Sequence, residues 1–567
     1  GVGHTPAARF NHSAGGARRS AMSDTYPGPK ITTTKFQPQP MVNWLSPRQL
    51  LRTGMRAALE EQFKSYVDRR EALAGLDPAG RRYVAGGSAP FNVDIVSDVG
   101  DGIEATYPVA WAVGRRTLQA GGLPPGAQAR ASLIVLGGDQ VYPSASVRRY
   151  RDQFDGPFSH GFEQPPPPGP TGPPTMFAIP GNHDWFDGLG AFTSQFCSPQ
   201  RVGGWLVGQR RSYFAIRLRE DLWLWAADIR GTHWVDRPQV EYFTAALEEL
   251  VCACHKPSLI LCVPEPLWLK GAPGTQDRTS GENALDYLVN TLIAGKADVV
   301  LVVSGDQHNY ARYEATSPPE GLPQRLVHCG NGGAFLHANH WLPKQTHFRQ
   351  RDDTLQEYEQ VAAYPPAGVT ERLASRLSTW RLPCKKKGLF GTLWGLSFLL
   401  STAVPGAFFP PAWHLIFVTA LLVLGAGAGM SAYRRSQTMP GHSASAWPAW
   451  LFSTTILGLL TAPGIAAEWL SGWERWAVFF GGATLAAYLG VVAYGWYLLK
   501  SAASGPAYPH LEEAMSAQAI SSHRAFLRIV VPESGPPTVY CIALDDSSGN
   551  GDHFQVIDEF VLRKERS

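Results

Sequence analysis

The sequence predicts an α/β protein joined to an all-α membrane domain, and three observations predict it. Four apolar runs each end in a short loop carrying Asp, Asn or His. They are Val93–Val96 before Asp98, Ala131–Leu136 before Gly138-Asp139, Phe177–Pro180 before Gly181-Asn182-His183-Asp184, and Val299–Val303 before Ser304-Gly305-Asp306-Gln307-His308. Such runs read as buried strands, and ligand-type residues at their ends mark the carboxyl edge of a sheet. Helical segments at 237–251 and 283–293 alternate with strands, the pattern of α/β layers. Finally, no Asp, Glu, Lys or Arg occurs from Gly388 to Tyr433, which is the composition of lipid-facing helices.

At 567 residues the chain is long enough for two or more domains. Its formal net charge of +3 is close to balance, so charge implies no nucleic-acid partner. Seven Cys are scattered along the chain, a pattern that fits a reducing compartment. Cys252-Ala253-Cys254-His255 looks like half a zinc site, but no second half stands at a suitable spacing; ordinary buried thiols are the other reading.

The elements follow in order. Residues 1–45 are rich in small residues and Pro, without an apolar period, and are expected to form a flexible tail; nothing in them suggests export. A helical lead-in is expected over 46–89, where Leu50, Leu51, Met55, Leu59 and Phe63 recur at helical spacing after Ser46-Pro47. Residues 90–345 carry the ligand-bearing strands and form the catalytic-like domain. Within it, the Pro-rich stretch from Phe158 to Thr175 reads as a surface loop. A polar connector with some helix is expected over 346–387.

Residues 388–500 are expected to hold four membrane spans: Leu389–Ala407, Trp413–Met430, Trp447–Ala467 and Trp476–Leu499. A span needs about 20 apolar residues to cross a core of about 30 Å. Trp394, Trp413, Trp447, Trp450, Trp469, Trp473, Trp476 and Trp496 sit mostly near the proposed ends, as an interfacial belt would. A pair of helical hairpins buried in a soluble core is the alternative. Lys385–Lys387, Arg434, Arg435 and Lys500 fall on one side of the path, which the positive-inside rule places in the cytoplasm. The catalytic-like domain and residues 501–567 then share the cytoplasmic face. Strand-like runs at Phe526–Val531, Val539–Leu544 and Phe554–Leu562 could add to the sheets of the first domain.

The ligand series resembles the calcineurin-like metallophosphoesterase superfamily, which includes the purple acid phosphatases. The resemblance covers roughly residues 90–340. It rests on Asp98-Val99-Gly100, Gly138-Asp139, Gly181-Asn182-His183-Asp184, Glu265 in Val263-Pro264-Glu265-Pro266, and Gly305-Asp306-Gln307-His308. It implies a four-layer α/β/β/α sandwich and a centre of two divalent or mixed-valence metal ions. Asp98 and His308 would serve the first ion, and Asn182, Glu265 and Asp306 the second, with Asp139 bridging. His183 would lie beside the substrate phosphate, with Asp184 orienting it and raising its imidazolium fraction.

Three positions depart from the usual pattern. Gly100 stands where a His ligand is frequent. Purple acid phosphatases also have Gly here and use a Tyr three residues after the bridging Asp; Tyr142 has that offset. Tyr142 could ligate or simply pack over the loop, and Asp101 could serve in its place. Glu265 and Asp306 replace the usual imidazoles. Carboxylates make the site harder, favouring Mn, Mg or Fe, with Zn still possible. Around the rim, Arg312 could meet an anion or form a salt bridge. His337 and His340 read as structural more readily than as ligands.

The function expected is a membrane-anchored, cytoplasm-facing phosphoesterase acting on a phosphomonoester or phosphodiester, with a lipid-linked phosphate among the possible substrates and membrane lipid as a partner. The alternative is a catalytically weak domain acting as a binding or signalling module. A transporter is disfavoured because the span interiors lack charged residues.

Overall fold

The computed structural model describes residues 36–44, 69–376 and 515–563, with breaks at 78–79, 86–89, 165–172, 231–233, 255, 270–278, 318–320, 517 and 545–553, plus positions 473, 474, 477 and 481. Among the described residues no helix is long and apolar enough to cross a membrane. The proposed spans, the tail before residue 36 and most of the helical lead-in lie outside the described residues; helix Arg69–Leu76 is described.

In chain order the strands are β1 (Tyr83–Val84), β2 (Phe91–Val96), β3 (Ala120–Gly121), β4 (Leu133–Leu136), β5 (Thr175–Ala178) and β6 (Gln200–Val202). Next come β7 (Trp205–Val207), β8 (Phe214–Arg219), β9 (Leu222–Ala226), β10 (Ser258–Cys262), β11 (Asp298–Ser304) and β12 (Tyr310–Ala315). The last six are β13 (Arg325–Cys329), β14 (Gln345–Arg349), β15 (Leu355–Tyr364), β16 (Ala525–Val531), β17 (Thr538–Leu544) and β18 (Phe554–Val561). They form two sheets, ordered β1-β8-β9-β10-β11-β13-β12-β15-β14 and β3-β18-β17-β16-β2-β4-β5-β7-β6.

The two sheets face each other across an apolar core. Val93, Ile95, Leu133 and Val135 of one sheet pack with Ile216, Leu224, Ile260 and Val327 of the other. Helix Ile103–Gly114 covers the outer face of the second sheet, meeting Ile134 and Leu136 through Val109 and Val113. Helices Arg237–Ala253 and Ser280–Tyr287 cover the outer face of the first. The result is mixed α/β with two large sheets inside and helices outside. Strands β4, β10 and β11 are apolar along almost their whole length because both of their faces are covered. Each fully buried Val, Leu or Ile contributes about 1.5–3 kcal/mol.

In the site half of the second sheet β2, β4 and β5 run parallel, and in the first sheet β9, β10, β11 and β13 run parallel. Their carboxyl ends bring Asp98, Asp139 and Asn182 from one sheet to the edge that receives Glu265, Asp306 and His308 from the other.

Two expectations are corrected. The connector contains strands: β14 and β15 extend the first sheet beyond β12. β15 alternates buried Gln356 and Tyr358 with outward Leu355, Glu357 and Glu359. Its inward positions mix Gln356 and Gln360 with Tyr358, Ala362 and Tyr364 and alternate with charged residues, so an inventory of continuous apolar runs misses it. The helix expected at 283–293 begins earlier, at Ser280. Thr279 and Glu282 form a reciprocal cap, with the Thr279 hydroxyl accepting from the Glu282 amide. The C-terminal runs are strands, and β16 pairs antiparallel with β2.

Candidate functional site

Three strand-end aspartates share an unusual backbone. Asp98, Asp139 and Asp306 all have positive φ, 58°, 50° and 67°. Only Gly adopts this region freely, although a short polar side chain tolerates it. Strain of this kind at three converging loops marks a place where local geometry serves something other than stability. Close backbone approach completes the arrangement. A Cβ on Gly181 would collide with the Asp139 carboxylate, and one on Gly330 with Asp98 Oδ2. The glycine-rich segment after β13 therefore reaches the site, as its composition predicts.

Tyr142 stands at the centre of the set. Its hydroxyl lies 2.9 Å from Asp98 Oδ1, 3.3 Å from Asp139 Oδ2 and 3.0 Å from His308 Nε2. The Asp98 Oδ1 to His308 Nε2 distance is 3.5 Å. His308 Nδ1 donates to the Phe335 carbonyl at 2.7 Å, which leaves Nε2 with a lone pair facing the cluster. Burial and the neighbouring His337 hold His308 well below the usual imidazole range, so it is neutral and makes no ion pair with Asp98. One phenolic proton thus faces three acceptor atoms.

Burial is the main reason that Asp98 and Asp139 are pushed well above the carboxylate range; mutual repulsion, including from Asp306, adds to it. Tyr142 is pushed up for the same reasons. Asp139 Oδ1 accepts from the His183 amide at 2.8 Å, and Asp98 Oδ2 accepts from the Asp306 amide at 2.9 Å. These bonds fix the carboxylates without neutralising them.

The remaining residues resolve as follows. Asn182 opens the short helix Asn182–Trp185, and its Oδ1 is buried without a hydrogen-bond partner among the described residues. Asp306 is half-buried and close enough to Asp98 and Asp139 to raise both. Glu265 is buried one residue after Pro264, whose side chain packs beside Gly138. Gly100 lacks room for a His: a Cβ there would collide with the Gln140 carbonyl, and its φ is +79°. Asp101 does not turn toward the cluster. Its oxygens accept from the Val42 amide at 3.0 Å, the Trp44 indole at 3.4 Å and the Phe335 amide at 3.1 Å.

The expected pairing of Asp184 with His183 is corrected. Asp184 accepts from the Tyr150 hydroxyl and from the amides of Gly181 and Gln140, at 2.9 and 3.4 Å. It therefore braces the loop that carries Asn182 and His183. His183 instead directs Nδ1 to the Pro143 carbonyl at 2.9 Å. Its pKa is not raised. Burial pushes it down to about 4, against the opposing effect of that hydrogen bond. His183 is half-buried, and its Nε2 has no hydrogen-bond partner among the described residues.

Several residues read as rim or ligand candidates are structural. Arg312 and Tyr310 bind Asp558, tying β12 to β18. His337 stacks on His308 at 4.1 Å and accepts its amide, while His340 bonds Thr370. Asp187 accepts from the amides of Gly190 and Ala191 as a turn residue. The partners that sequence reasoning missed are Trp44, Tyr150, Phe335 and the Pro143 carbonyl. None carries a motif, because each matters only through a contact across at least 27 positions of sequence or through its backbone.

The spacing of the donor atoms matches that of ligands around a small cation. Atoms bound at about 2.1 Å and at right angles around one ion lie about 3.0 Å apart. The four measured separations among Asp98, Asp139, Tyr142 and His308 are 2.9–3.5 Å. Among the described residues no group of three or more His, Cys, Asp and Glu side chains could by itself hold a metal ion. The set becomes four only through the Tyr142 oxygen. Its carboxyl and phenol oxygens, neutral imidazole and buried Asn182 carbonyl suit a hard cation, which would displace the protons they hold.

No family model matches the chain, and no curated protein matches it. A solved structure that it is similar to is a purple acid phosphatase isolated from yellow lupin (Lupinus luteus) seeds, at 14% sequence identity and a TM-score of 0.29. The match covers 48% of this chain and 48% of that one, so the chain spans about half the length of that protein.

Proposed function

We propose that the chain is a metal-dependent phosphoesterase of the calcineurin-like superfamily, held at a membrane by residues 388–500. The observation that carries the reading is the convergence of ligand-type side chains at the site. Asp98, Asp139 and His308 converge on the Tyr142 hydroxyl in a buried pocket, where burial and repulsion push both carboxyls toward their protonated form. A cation bound there would take the place of those protons and favour the ionised carboxylates. Asp98, Tyr142 and His308 would hold one ion; Asn182, Asp306 and Glu265 would serve a second, with Asp139 between them. A pair of such ions neutralises phosphate oxygens and activates water.

The chain's own residues do the rest. The Asp139 backbone strain and the bond from the His183 amide fix the carboxylate between the two halves of the set. The Pro143 carbonyl holds the His183 ring in one tautomer and leaves Nε2 available to a leaving oxygen. Tyr142 and Phe335 pack edge-on against the His308 ring at 5.6 and 4.6 Å between centroids and hold it in place.

The test is hydrolysis of 4-nitrophenyl phosphate by full-length protein, stripped with a chelator and reloaded with Mn²⁺, Fe²⁺, Mg²⁺ or Zn²⁺. Turnover is expected only after reloading, and most with Mn²⁺ or Fe²⁺. A protein that retains no metal and turns over nothing in any condition sinks the hydrolase and favours the binding module. Membrane attachment has its own test: after alkaline carbonate washing the chain should stay with the membrane pellet, and release into the supernatant counts against the four spans.

His183 gives a pH prediction. If its protonated ring delivers the proton to the leaving oxygen, the charged form is present below about 4 and is lost above it. In the free enzyme kcat/KM should then fall about tenfold per pH unit above that point. The fall should vanish in His183→Asn. A profile flat from pH 4 to 7 in the wild type rules out this role for the imidazolium.

A further inference from the structure

The segment 36–44 is a strap built into the fold. Phe36 packs where a Cβ on Gly156 would be, and the Gln39 carbonyl accepts from the Ile103 amide at 2.8 Å. Met41 crosses so close to Gly102 that a Cβ there would strike its backbone nitrogen. The buried Asp101 then binds the Val42 amide and the Trp44 indole N–H. Four attachments over nine residues are more than a loose terminal segment needs. Their common effect is to fix Trp44.

Fixed in this way, the indole ring lies edge-on to His183 at 5.5 Å, to Tyr142 at 5.9 Å and to Phe335 at 5.4 Å between centroids. Phe186 meets His183 from another side at 5.2 Å. The ring whose Nε2 is available to a leaving oxygen is therefore walled by aromatic side chains. A separate cleft of about 560 Å³ is lined by strap residues Gln39–Asn43 and by Pro143, Arg148, Arg149 and Asp152; Trp44, His183 and Phe186 do not line it.

We propose that Trp44 walls a leaving-group subsite that selects an aromatic substituent on the phosphate ester. The inference rests on the phosphoesterase reading and deepens it. An ester oxygen held at His183 Nε2 must carry its organic substituent past the indole and Phe186. An aromatic ring makes edge or stacked contacts with both, whereas an alkyl or polyol group gains little. Trp44 is a specificity-determining residue; it has no part in proton transfer.

The test compares binding of phenylphosphonate and methylphosphonate, neither of which is hydrolysed, to Mn²⁺-loaded full-length protein by calorimetry. Wild type should prefer phenylphosphonate at least ~10-fold, a margin within reach of one aromatic contact and the apolar area it covers. Trp44→Leu should reduce the preference below about threefold, and Trp44→Phe should keep most of it, since the ring and not mere bulk makes the contact. A leucine variant that keeps the full preference overturns the proposal. Should that variant lose its near-ultraviolet circular dichroism, the wild-type ratio and the phenylalanine variant decide; equal affinities in wild type overturn it. Preference without any turnover would count against the hydrolase reading alone. Turnover with equal affinities would count against the subsite alone, and binding of neither phosphonate against both.

Discussion

Asp139→Asn is expected to cut kcat/KM at least ~10³-fold while raising the melting temperature of the metal-free protein. The two effects have one cause. Asp139 is buried beside Asp98, Asp184 and Asp306, and burial and repulsion together push its carboxyl well above the ordinary range. Asparagine keeps the shape and can accept from the His183 amide, but it removes one charge from the cluster. The sign follows from proton linkage. A carboxyl whose folded pKa is raised above its unfolded value favours folding below the unfolded value, about 4, and loses that contribution as pH rises through the folded value. The substitution should therefore stabilise most at pH 8 in chelator and hardly at all near pH 4. A gain of ~1–2 kcal/mol is typical for relieving such a conflict, and amounts to about 1–3 °C in a protein of this size. With Mn²⁺ present the order should reverse, because wild type gains stability from the ion and the variant loses that gain. Calorimetry at both pH values with and without Mn²⁺, together with metal content by mass spectrometry, checks each part. A variant that retains two ions per chain, or that melts lower in chelator at pH 8, refutes the assignment of Asp139 to the shared position.

What could be read from the sequence follows the range of the interactions involved. Buried parallel strands announce themselves locally, since β4 and β11 are uninterrupted apolar runs, and their loop residues inherit a common edge. Asp98, Asp139 and His308 could therefore be placed together before any coordinates. Conformation at the loops was less visible: nothing in the one-dimensional pattern says that Asp98, Asp139 and Asp306 share positive φ. Side-chain direction was least visible. Tyr142 is the first candidate to replace a missing ligand and Asp101 the second; the direction each takes depends on distant partners, Val42 and Trp44 for Asp101 and Asp98 and His308 for Tyr142. Asp184 was misread for the same reason, because its partner Tyr150 lies 34 positions away. β15 escaped because its inward positions include Gln356, so period two was present without the apolar signal that usually reveals it.

Arg528→Met should destabilise the protein by about 3–5 kcal/mol, the largest stability effect anticipated for a single substitution outside the site. Arg528 and Asp94 are both fully buried and meet through two hydrogen bonds of 2.7 Å, Nε to Oδ1 and Nη2 to Oδ2. The guanidinium also donates to the Ala127 carbonyl at 2.9 Å. The pair lies in register, Arg528 on β16 opposite Asp94 on β2, so it joins the C-terminal hairpin to the strand that carries Asp98. Both oxygens of Asp94 are committed to this pair. Removing the arginine leaves a desolvated carboxylate whose burial already works against its charge. Replacing both partners removes that conflict, so Asp94→Leu with Arg528→Met should recover most of the loss, leaving about 1 kcal/mol for the orphaned Ala127 carbonyl. The consequence for the site is specific. β2 ends two residues before Asp98, and slippage of β16 frees that end. The single variant should therefore bind Mn²⁺ more weakly than the double variant, although neither position touches the cluster. Equal melting temperatures for the single and double variants would show that the pair contributes through packing alone, and equal Mn²⁺ affinities would show that β16 does not hold Asp98 in place.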